Sequence, residues 1–181
     1  MVNLPEEYVA LYLRLNGFLL LTNFTHLSNQ RYVKESDIIG LRCPNCAEKV
    51  NGNELSIDCN LFSNGLMNKE EVIPVICEVK GGKERPTFQP DKIEYLKNFF
   101  GDYGDKTILV SVSRLYDKYD SPRKSPKNNK RINIGLNYVF RRTKEIIQER
   151  AHDCNKAQSW YFCGGLLQEL LLFSENFHTE E

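Results

Sequence analysis

The segment 73-IPVICEVKGG-82 places an acid and a base inside an apolar run that ends at two glycines. Side chains two residues apart lie on the same face of a strand, so Glu78 and Lys80 are expected to project together. A charge on a buried strand is costly unless it is paired or bound to a metal ion. The segment therefore predicts a paired or metal-bound charge at the end of a buried strand.

A second carboxylate, that of Asp37, opens the predicted strand 36-SDIIGLRC-43. If the two strands are neighbours, Asp37, Glu78 and Lys80 converge at one edge of the sheet. Two close carboxylates repel each other unless a cation joins them, and oxygen ligands with open water positions suit Mg²⁺ or Mn²⁺. Because a nearby lysine stabilises developing negative charge and helps deprotonate a metal-bound water, the set suits hydrolysis of a phosphodiester.

Hydrophobic periodicity predicts the elements that must position these residues. Helices are predicted over 4–16, 90–100, 137–153 and 156–173, and strands over 18–24, 36–43, 73–80 and 107–113. Strands separated by helices indicate an α/β domain with a mixed sheet, in which the first three strands form a meander.

The chain has 181 residues, which is enough for one domain with a full core. We predict a single domain over 1–181, with a core at 4–113 and a basic loop and C-terminal helices at 114–175. Residues 44–70 are rich in Asn, Gly and Ser and are predicted to be an insertion or long hairpin, with a short strand near 54–59.

The formal net charge is zero, which argues against a uniformly basic nucleic-acid binder. The charge is uneven, however, because residues 113–150 contain eleven Lys or Arg against four Asp or Glu, a local net charge of +7. Residues 121–131 are predicted to be a mobile basic loop, followed by a short edge strand at 132–134.

This basic segment has two interpretations: a solvated excursion, or a surface that contacts the phosphates of DNA. The candidate DNA-binding residues are Arg123, Lys124, Lys127, Lys130, Arg131, Arg141 and Arg142, with Lys144 extending the same charge.

Three pieces of the sequence, taken together, resemble a known family. They are the helix and strand start E-E-Y-V-A-L-Y-L-R-L-N-G-F, the strand S-D-I-I-G and the strand I-C-E-V-K. Their order over residues 4–113 resembles the PD-(D/E)xK, or restriction-endonuclease-like, nuclease superfamily, and is nearest in pattern to Holliday-junction-resolvase-like nucleases. Residue 36 is Ser where the motif's name has Pro, a position that is permissive in the family.

The resemblance implies a three-layer fold with a central mixed sheet of four to five strands flanked by helices. It also implies a Mg²⁺-dependent endonuclease that acts on DNA, of a kind whose single-domain members often form homodimers to cut both strands. By resemblance, Asp37, Glu78 and the carbonyl of Val79 hold the metal, and Lys80 assists the attacking water. A helix-borne acid, Glu6 or Glu7, joins the site in many members, and Gln89 resembles an accessory glutamine. The alternative is a catalytically inactive module of the same fold that binds nucleic acid or a protein partner in a defence or repair assembly.

The cysteines offer a weaker pattern. Cys43 and Cys46 form a C-x-x-C pair with Cys59 thirteen residues on, but the second pair of a structural zinc site is missing. Asp58, Cys77 or His26 could complete such a site, although a reduced pair in a turn is the simpler interpretation. Six cysteines without a secretory signal favour a reducing, cytoplasmic location, and the apolar stretch 160–173 is too short and too polar for a membrane span.

Overall fold

The computed structural model describes residues 3–27, 33–46, 49–50, 53–54, 57–62 and 65–148. The helices are α1 (Leu4–Leu15), α2 (Cys59–Phe62), α3 (Pro90–Phe99) and α4 (Leu136–Gln148). The strands are β1 (Phe18–Leu27), β2 (Val33–Arg42), β3 (Lys49–Val50), β4 (Asn53–Glu54), β5 (Ile73–Lys80), β6 (Ile108–Ser113), β7 (Arg123–Ser125) and β8 (Asn128–Gly135). No helix among these residues is both long enough and apolar enough to cross a membrane.

Six of the eight described strands form a mixed sheet in the order β1-β2-β5-β6-β8-β7. β1, β2 and β5 pair antiparallel in succession, whereas β5 with β6 and β6 with β8 pair parallel. The predicted α/β class, the mixed sheet and the meander of the first three predicted strands are confirmed. The predicted count of four to five strands is wrong, because the basic segment adds two more.

Apolar layers on both faces of the sheet explain why β5 reads as an almost continuous apolar run. Val75, Cys77 and Val79 face the layer formed with α1 and α4, and Ile76 faces the layer formed with α3. A strand that has paired neighbours and is covered on both faces carries apolar residues on both faces. Accordingly, every residue of β5 except Lys80 is buried.

The start and end of α1 are fixed by local chemistry. Pro5 occupies the first turn, and Glu6 and Glu7 lie near the positive end of the helix dipole. Gly17 follows with φ of 84°, and a Cβ at this position would lie 2.5 Å from the carbonyl oxygen of Cys46. Only glycine fits both the backbone conformation and the close approach.

The predicted basic loop at 121–131 is wrong, because this segment folds into the hairpin of β7 and β8. The predicted edge strand at 132–134 is also wrong, because β8 lies between β6 and β7. Ile132 and Ile134 are buried against the α1 and α4 layer, and this burial stabilises a strand whose first residues are polar. Tertiary pairing with β6 thus overrides the turn-like local composition.

The predicted insertion contains a two-stranded sheet of β3 and β4 and the short helix α2. The strand predicted near 54–59 is therefore wrong at its end, since Cys59 begins a helix. Part of the predicted helix 137–153 is confirmed as α4. The predicted helix at 156–173 lies outside the described residues.

Two buried charges attach the insertion to the core. Arg42 is 1 % exposed and donates to the carbonyl oxygens of Asn16, Cys43, Lys69 and Cys46 at 2.7 to 3.4 Å. Arg42 therefore stabilises the chain on both sides of the insertion through backbone acceptors.

Asp58, which is fully buried, accepts hydrogen bonds at 2.6 Å from the hydroxyls of Tyr12 and Tyr138. Its other oxygen lies 3.9 Å from Nε of Arg142. Burial and the neighbouring carboxylate raise the pKa of both tyrosine hydroxyls, so the tyrosines remain protonated donors. Asp58 thereby joins the insertion to α1 and α4.

The substitution Asp58→Ala should lower the free energy of unfolding by about 3–5 kcal/mol, because it leaves two buried hydroxyls without their acceptor and removes the buried charge 3.9 Å from the Arg142 guanidinium. Urea unfolding followed by circular dichroism measures this loss. Glu71→Ala is the matched control, because the pair of Glu71 with Lys106 is solvent-exposed and should contribute little. Similar losses in the two variants would contradict a structural role for the buried carboxylate.

Candidate functional site

Asp37 lies where the hydrogen-bond ladders on both sides of β2 are irregular. The β2–β5 ladder has its last pair at Ile38 and Cys77, so Asp37 stands one step beyond, opposite Glu78. On the other side, the β1–β2 ladder skips Asn23, which adopts a left-handed conformation with φ of 52° opposite Asp37. Asp37 therefore sits at a break in the pairing rather than inside a regular strand.

The carboxylate of Asp37 takes over where the backbone ladder stops. Its Oδ2 accepts a hydrogen bond of 2.7 Å from the backbone N–H of Val79. Residues directly opposite each other in an antiparallel pair have Cβ atoms about 5 Å apart on the same face. The structure therefore brings Asp37 and Glu78 together, as the sequence predicts.

Glu78 is 6 % exposed and forms an ion pair with a lysine from α3. Nζ of Lys92 lies 2.5 Å from Oε1 of Glu78, and the same ammonium donates to the carbonyl oxygen of Glu35 at 2.5 Å. Lys92 itself is 5 % exposed. A buried carboxylate and a buried ammonium thus neutralise each other beside Asp37.

Burial raises the pKa of the Glu78 carboxyl to about 7. The hydrogen bond from Lys92 opposes this rise, and the negative charge of Asp37 adds to it. The 2.5 Å ion pair favours the charged form, so the raised pKa reflects the cost of removing this carboxylate from water. A further positive charge placed between Asp37 and Glu78 would therefore stabilise their charged forms.

Lys80 and Glu6 complete the group. Lys80 is the half-buried last residue of β5 and lies two residues from Glu78, on the same face of the strand. Its positive charge is the smallest of the causes that act on the pKa values of Glu78 and Glu6, and it lowers both. Among the described residues, no carboxylate forms an ion pair with Lys80. The pKa of Glu6 is raised, first by burial and then by the charge of Asp37. Glu6 is therefore the helix acid on the Asp37 side, and Glu7 lies about 100° further around α1.

Gln89 and Val79, which the resemblance adds to the site, have defined places. Gln89 is exposed at the N-cap of α3, and its side chain makes no capping hydrogen bond. Val79 contributes its N–H to Asp37, as described above, and its side chain packs in the core.

The donor set suits a small cation that binds oxygen. In the described part of the chain, no group of three or more His, Cys, Asp or Glu side chains forms a metal-binding cluster. Asp37 and Glu78 nonetheless supply two carboxylates, each with one oxygen that accepts none of the hydrogen bonds above. Mg²⁺ is usually held by one or two carboxylates together with waters and substrate phosphates, so the pair fits that ion.

Several of the predicted DNA-binding residues already have partners within the protein. Arg142 forms an ion pair with Glu145 at 2.9 Å, and Arg141 donates to the carbonyl oxygen of Asp120 at 3.2 Å. Lys130 donates to the carbonyl oxygen of Asp105 at 2.6 Å.

The rest of the basic set lies on the β7–β8 hairpin. Arg123 stacks 4.8 Å from the ring of Tyr119, and Arg131 donates to Ser111 Oγ at 2.7 Å. Lys124 and Lys127 are exposed on the same hairpin. The β7–β8 hairpin thus carries most of the predicted DNA-binding cations, whereas Arg142 on α4 interacts with carboxylates of the protein itself.

The cysteines do not gather into one site within the described residues. Cys43 and Cys46 are half-buried, and Cys59 is exposed. Asp58 is engaged with two tyrosines, and burial raises the pKa of the Cys77 thiol, which opposes the thiolate form that binds zinc. The side chain of His26 lies outside what the structure describes.

Lys92 is the residue that sequence reasoning missed. The apolar positions of α3 suggest an exposed lysine, yet Lys92 and Leu96 are the buried residues of this helix and lie four positions apart, on one face. A lysine in register with the apolar stripe, directly after a strand with a buried acid, is the signal that could have found it.

Comparisons with protein-family models, with curated proteins and with solved structures find no match to this chain.

The stability of the protein should depend on pH through Glu78. Because the pKa is about 7 in the folded state and lower in the unfolded chain, the folded state binds more protons between about pH 4.5 and 7. The stabilisation present below this window is lost as pH rises through it, by ~3 kcal/mol.

Urea unfolding of the wild type and of Glu78→Gln at several pH values, in EDTA, measures this contribution as the difference between the two proteins. The difference should fall as pH rises from about 4.5 to 7 and then level off. A difference that is constant across the window would contradict a raised pKa for Glu78.

Proposed function

We propose that this protein is a Mg²⁺-dependent endonuclease that hydrolyses DNA phosphodiester bonds, with a restriction-endonuclease-like core. The observation that carries the proposal is the hydrogen bond from Val79 N–H to Asp37, which holds one carboxylate opposite Glu78 at the open end of β5. The order of helix acid, Asp strand and Glu-x-Lys strand supports the same conclusion.

In the proposed site, Asp37 and Glu78 hold the cation, and the carbonyl of Val79 is the third ligand that the family resemblance implies. Bound Mg²⁺ would supply a Lewis acid that polarises the phosphate and lowers the pKa of water. Lys80 lies close to the carboxylates without a described ion-pair partner, so its ammonium is placed to stabilise the negative charge that develops on the phosphate oxygens. Glu6 lies on the Asp37 side, where a carboxylate can orient or accept a proton from the attacking water.

The basic hairpin supports DNA as the substrate. Lys124 and Lys127 are exposed on the hairpin, and their charges can replace counterions on a phosphate backbone. Neutralising phosphates in this way provides affinity without reading sequence.

The purified protein should nick or linearise plasmid DNA in Mg²⁺ and not in EDTA. Asp37→Asn and Lys80→Met should each reduce the cleavage rate by about 10²-fold or more, because the first removes a charge that holds the cation and the second removes a charge that stabilises the reacting phosphate. Asp102→Asn, at an exposed position outside the site, is the matched control and should cleave at the wild-type rate. Undiminished cleavage by Asp37→Asn would remove the proposed mechanism.

A second function, a catalytically inactive module that binds nucleic acid, is favoured by one specific observation. Lys92 already neutralises Glu78 at 2.5 Å in a buried setting, which is the arrangement expected where an ammonium has replaced a metal ion as the permanent counter-charge. In such a module the fold and the basic hairpin are retained, and the carboxylates serve only to hold β2, β5 and α3 together.

Isothermal titration with Mn²⁺ separates the two functions. The nuclease should bind Mn²⁺ in the wild type and lose this binding in Asp37→Asn, because the ion needs both carboxylates. The inactive module should bind no Mn²⁺, and its salt-sensitive binding of DNA should survive Glu78→Gln. Mn²⁺ binding that is identical in wild type and Asp37→Asn would contradict the site itself.

A further inference from the structure

A cleft of about 210 Å³ lies beside the candidate site and is lined by Ile93, the residue that follows Lys92 on α3. Its floor is apolar, formed by Ile93 and Leu109, and one wall is the ring of Phe88. Arg85, Lys127 and Arg131 contribute three cations, and the rest of the lining comes from Tyr116, Ser125, Asn128 and Asn133. A volume below the ~300 Å³ of typical drug-sized pockets suits one small ligand unit.

The cleft and the carboxylates share one face of the sheet. Glu78 pairs in register with Ser111, and Ser111 with Asn133 of the cleft lining, across three adjacent parallel strands. Residues at one level of neighbouring strands point to the same face, about 5 Å apart per strand. A polar row therefore runs from Asp37 through Glu78 and Ser111 to the cleft.

Arg131 is held in place before any ligand arrives. Its Nε donates to Ser111 Oγ at 2.7 Å, and its Nη2 donates to the carbonyl oxygen of Pro86 at 2.9 Å. The guanidinium carbon lies 5.0 Å from the centroid of the Phe88 ring, so the two planar groups together form a platform. Two of the five N–H donors of a guanidinium are used in these bonds, which leaves three for a ligand.

The charge of the cleft is not compensated within the described chain. No described carboxylate forms an ion pair with Arg85, Lys127 or Arg131. A cleft with an aromatic ring, a fixed guanidinium and two exposed cations selects a ligand that has both a flat ring and a negative charge. A nucleotide has both parts, whereas inorganic phosphate and a peptide of Asp and Glu alone lack the flat ring.

We propose that this cleft binds a nucleotide, with its base against the Phe88 and Arg131 platform and its phosphate toward Arg85 and Lys127. The placement on the carboxylate face rests on the proposed function, since it makes the cleft a subsite for the nucleotide next to the bond that is cut. Binding at the cleft itself needs neither metal nor cleavage.

The test is fluorescence anisotropy of a labelled d(A)₄ tetranucleotide with the full chain in EDTA, using competition by dAMP and by pyrophosphate. Phe88→Leu keeps an apolar side chain in the wall but removes the stacking ring, and it should weaken binding about fivefold or more. Arg85→Gln and Lys127→Gln should each reduce the slope of log K against log salt by about 0.7. Lys118→Gln, an exposed cation outside the cleft lining, should change neither quantity.

Competition identifies the form of the ligand. A tighter affinity for the tetranucleotide than for dAMP assigns the cleft to a strand, and equal affinities assign it to a free nucleotide; both outcomes support a nucleotide site. Pyrophosphate that competes as well as dAMP, or unchanged affinity in Phe88→Leu, overturns it. A melting temperature of Phe88→Leu close to that of the wild type shows that any loss is local.

Repeating the titration in Asp37→Asn separates this inference from the proposed function. If Asp37→Asn still binds the nucleotide and neither this variant nor the wild type cleaves DNA, the nuclease proposal is wrong and the nucleotide site is retained. If the wild type cleaves DNA and the cleft variants bind the tetranucleotide with wild-type affinity, the nucleotide site is wrong and the nuclease proposal is retained.

Discussion

A negative charge buried near the end of a central strand of the sheet is the constraint on which the candidate site depends. Taking a carboxylate out of water costs several kcal/mol, and Glu78 sits in a strand that is paired on both edges and covered on both faces. Lys92 offsets this cost only if α3 begins at one particular height above the sheet. The hydroxyl of Ser113 fixes that height, because it donates its single proton to the connection between β5 and α3, where the carbonyl oxygen of Glu84 lies at 2.7 Å and that of Gly82 at 3.0 Å. The strand end, the connection and the helix therefore form one electrostatic unit.

The parts of this unit that depend on local sequence pattern can be predicted from the sequence, whereas those that depend on contacts with distant strands cannot. β5 was predictable residue by residue, because an apolar run with a single acid near its end leaves few alternatives. The convergence of Asp37 with Glu78 required only that β2 and β5 be neighbours, which the tendency of successive core strands to pair favours. The irregularity that frees Asp37 was not predictable, because it depends on the left-handed backbone of Asn23 on a third strand.

The basic hairpin shows the opposite case. Its charges, prolines and asparagines are typical of a loop, and local composition contains no signal for two strands. The strands form because Ile132 and Ile134 are buried and because β6 offers a free edge, both of which are tertiary facts. A short, lysine-bearing outer strand such as β7 also discourages further pairing at the edge of the sheet. The basic residues that make this segment resemble a loop in the sequence thus protect the edge of the sheet and add cations to the cleft.

Lys92 and a divalent ion would both bind the carboxylate of Glu78, and the geometry of the ion pair determines whether they can do so together. Only Oε1 of Glu78 is bonded to the ammonium, so the second oxygen can receive a cation without breaking the ion pair. An ammonium beside a divalent ion repels it, which weakens binding of the metal to the empty protein. A substrate phosphate adds negative charge at the same place and offsets that repulsion. Under the proposed function, metal and DNA should therefore bind cooperatively, with the metal bound by the DNA-free protein more weakly than by the complex with DNA.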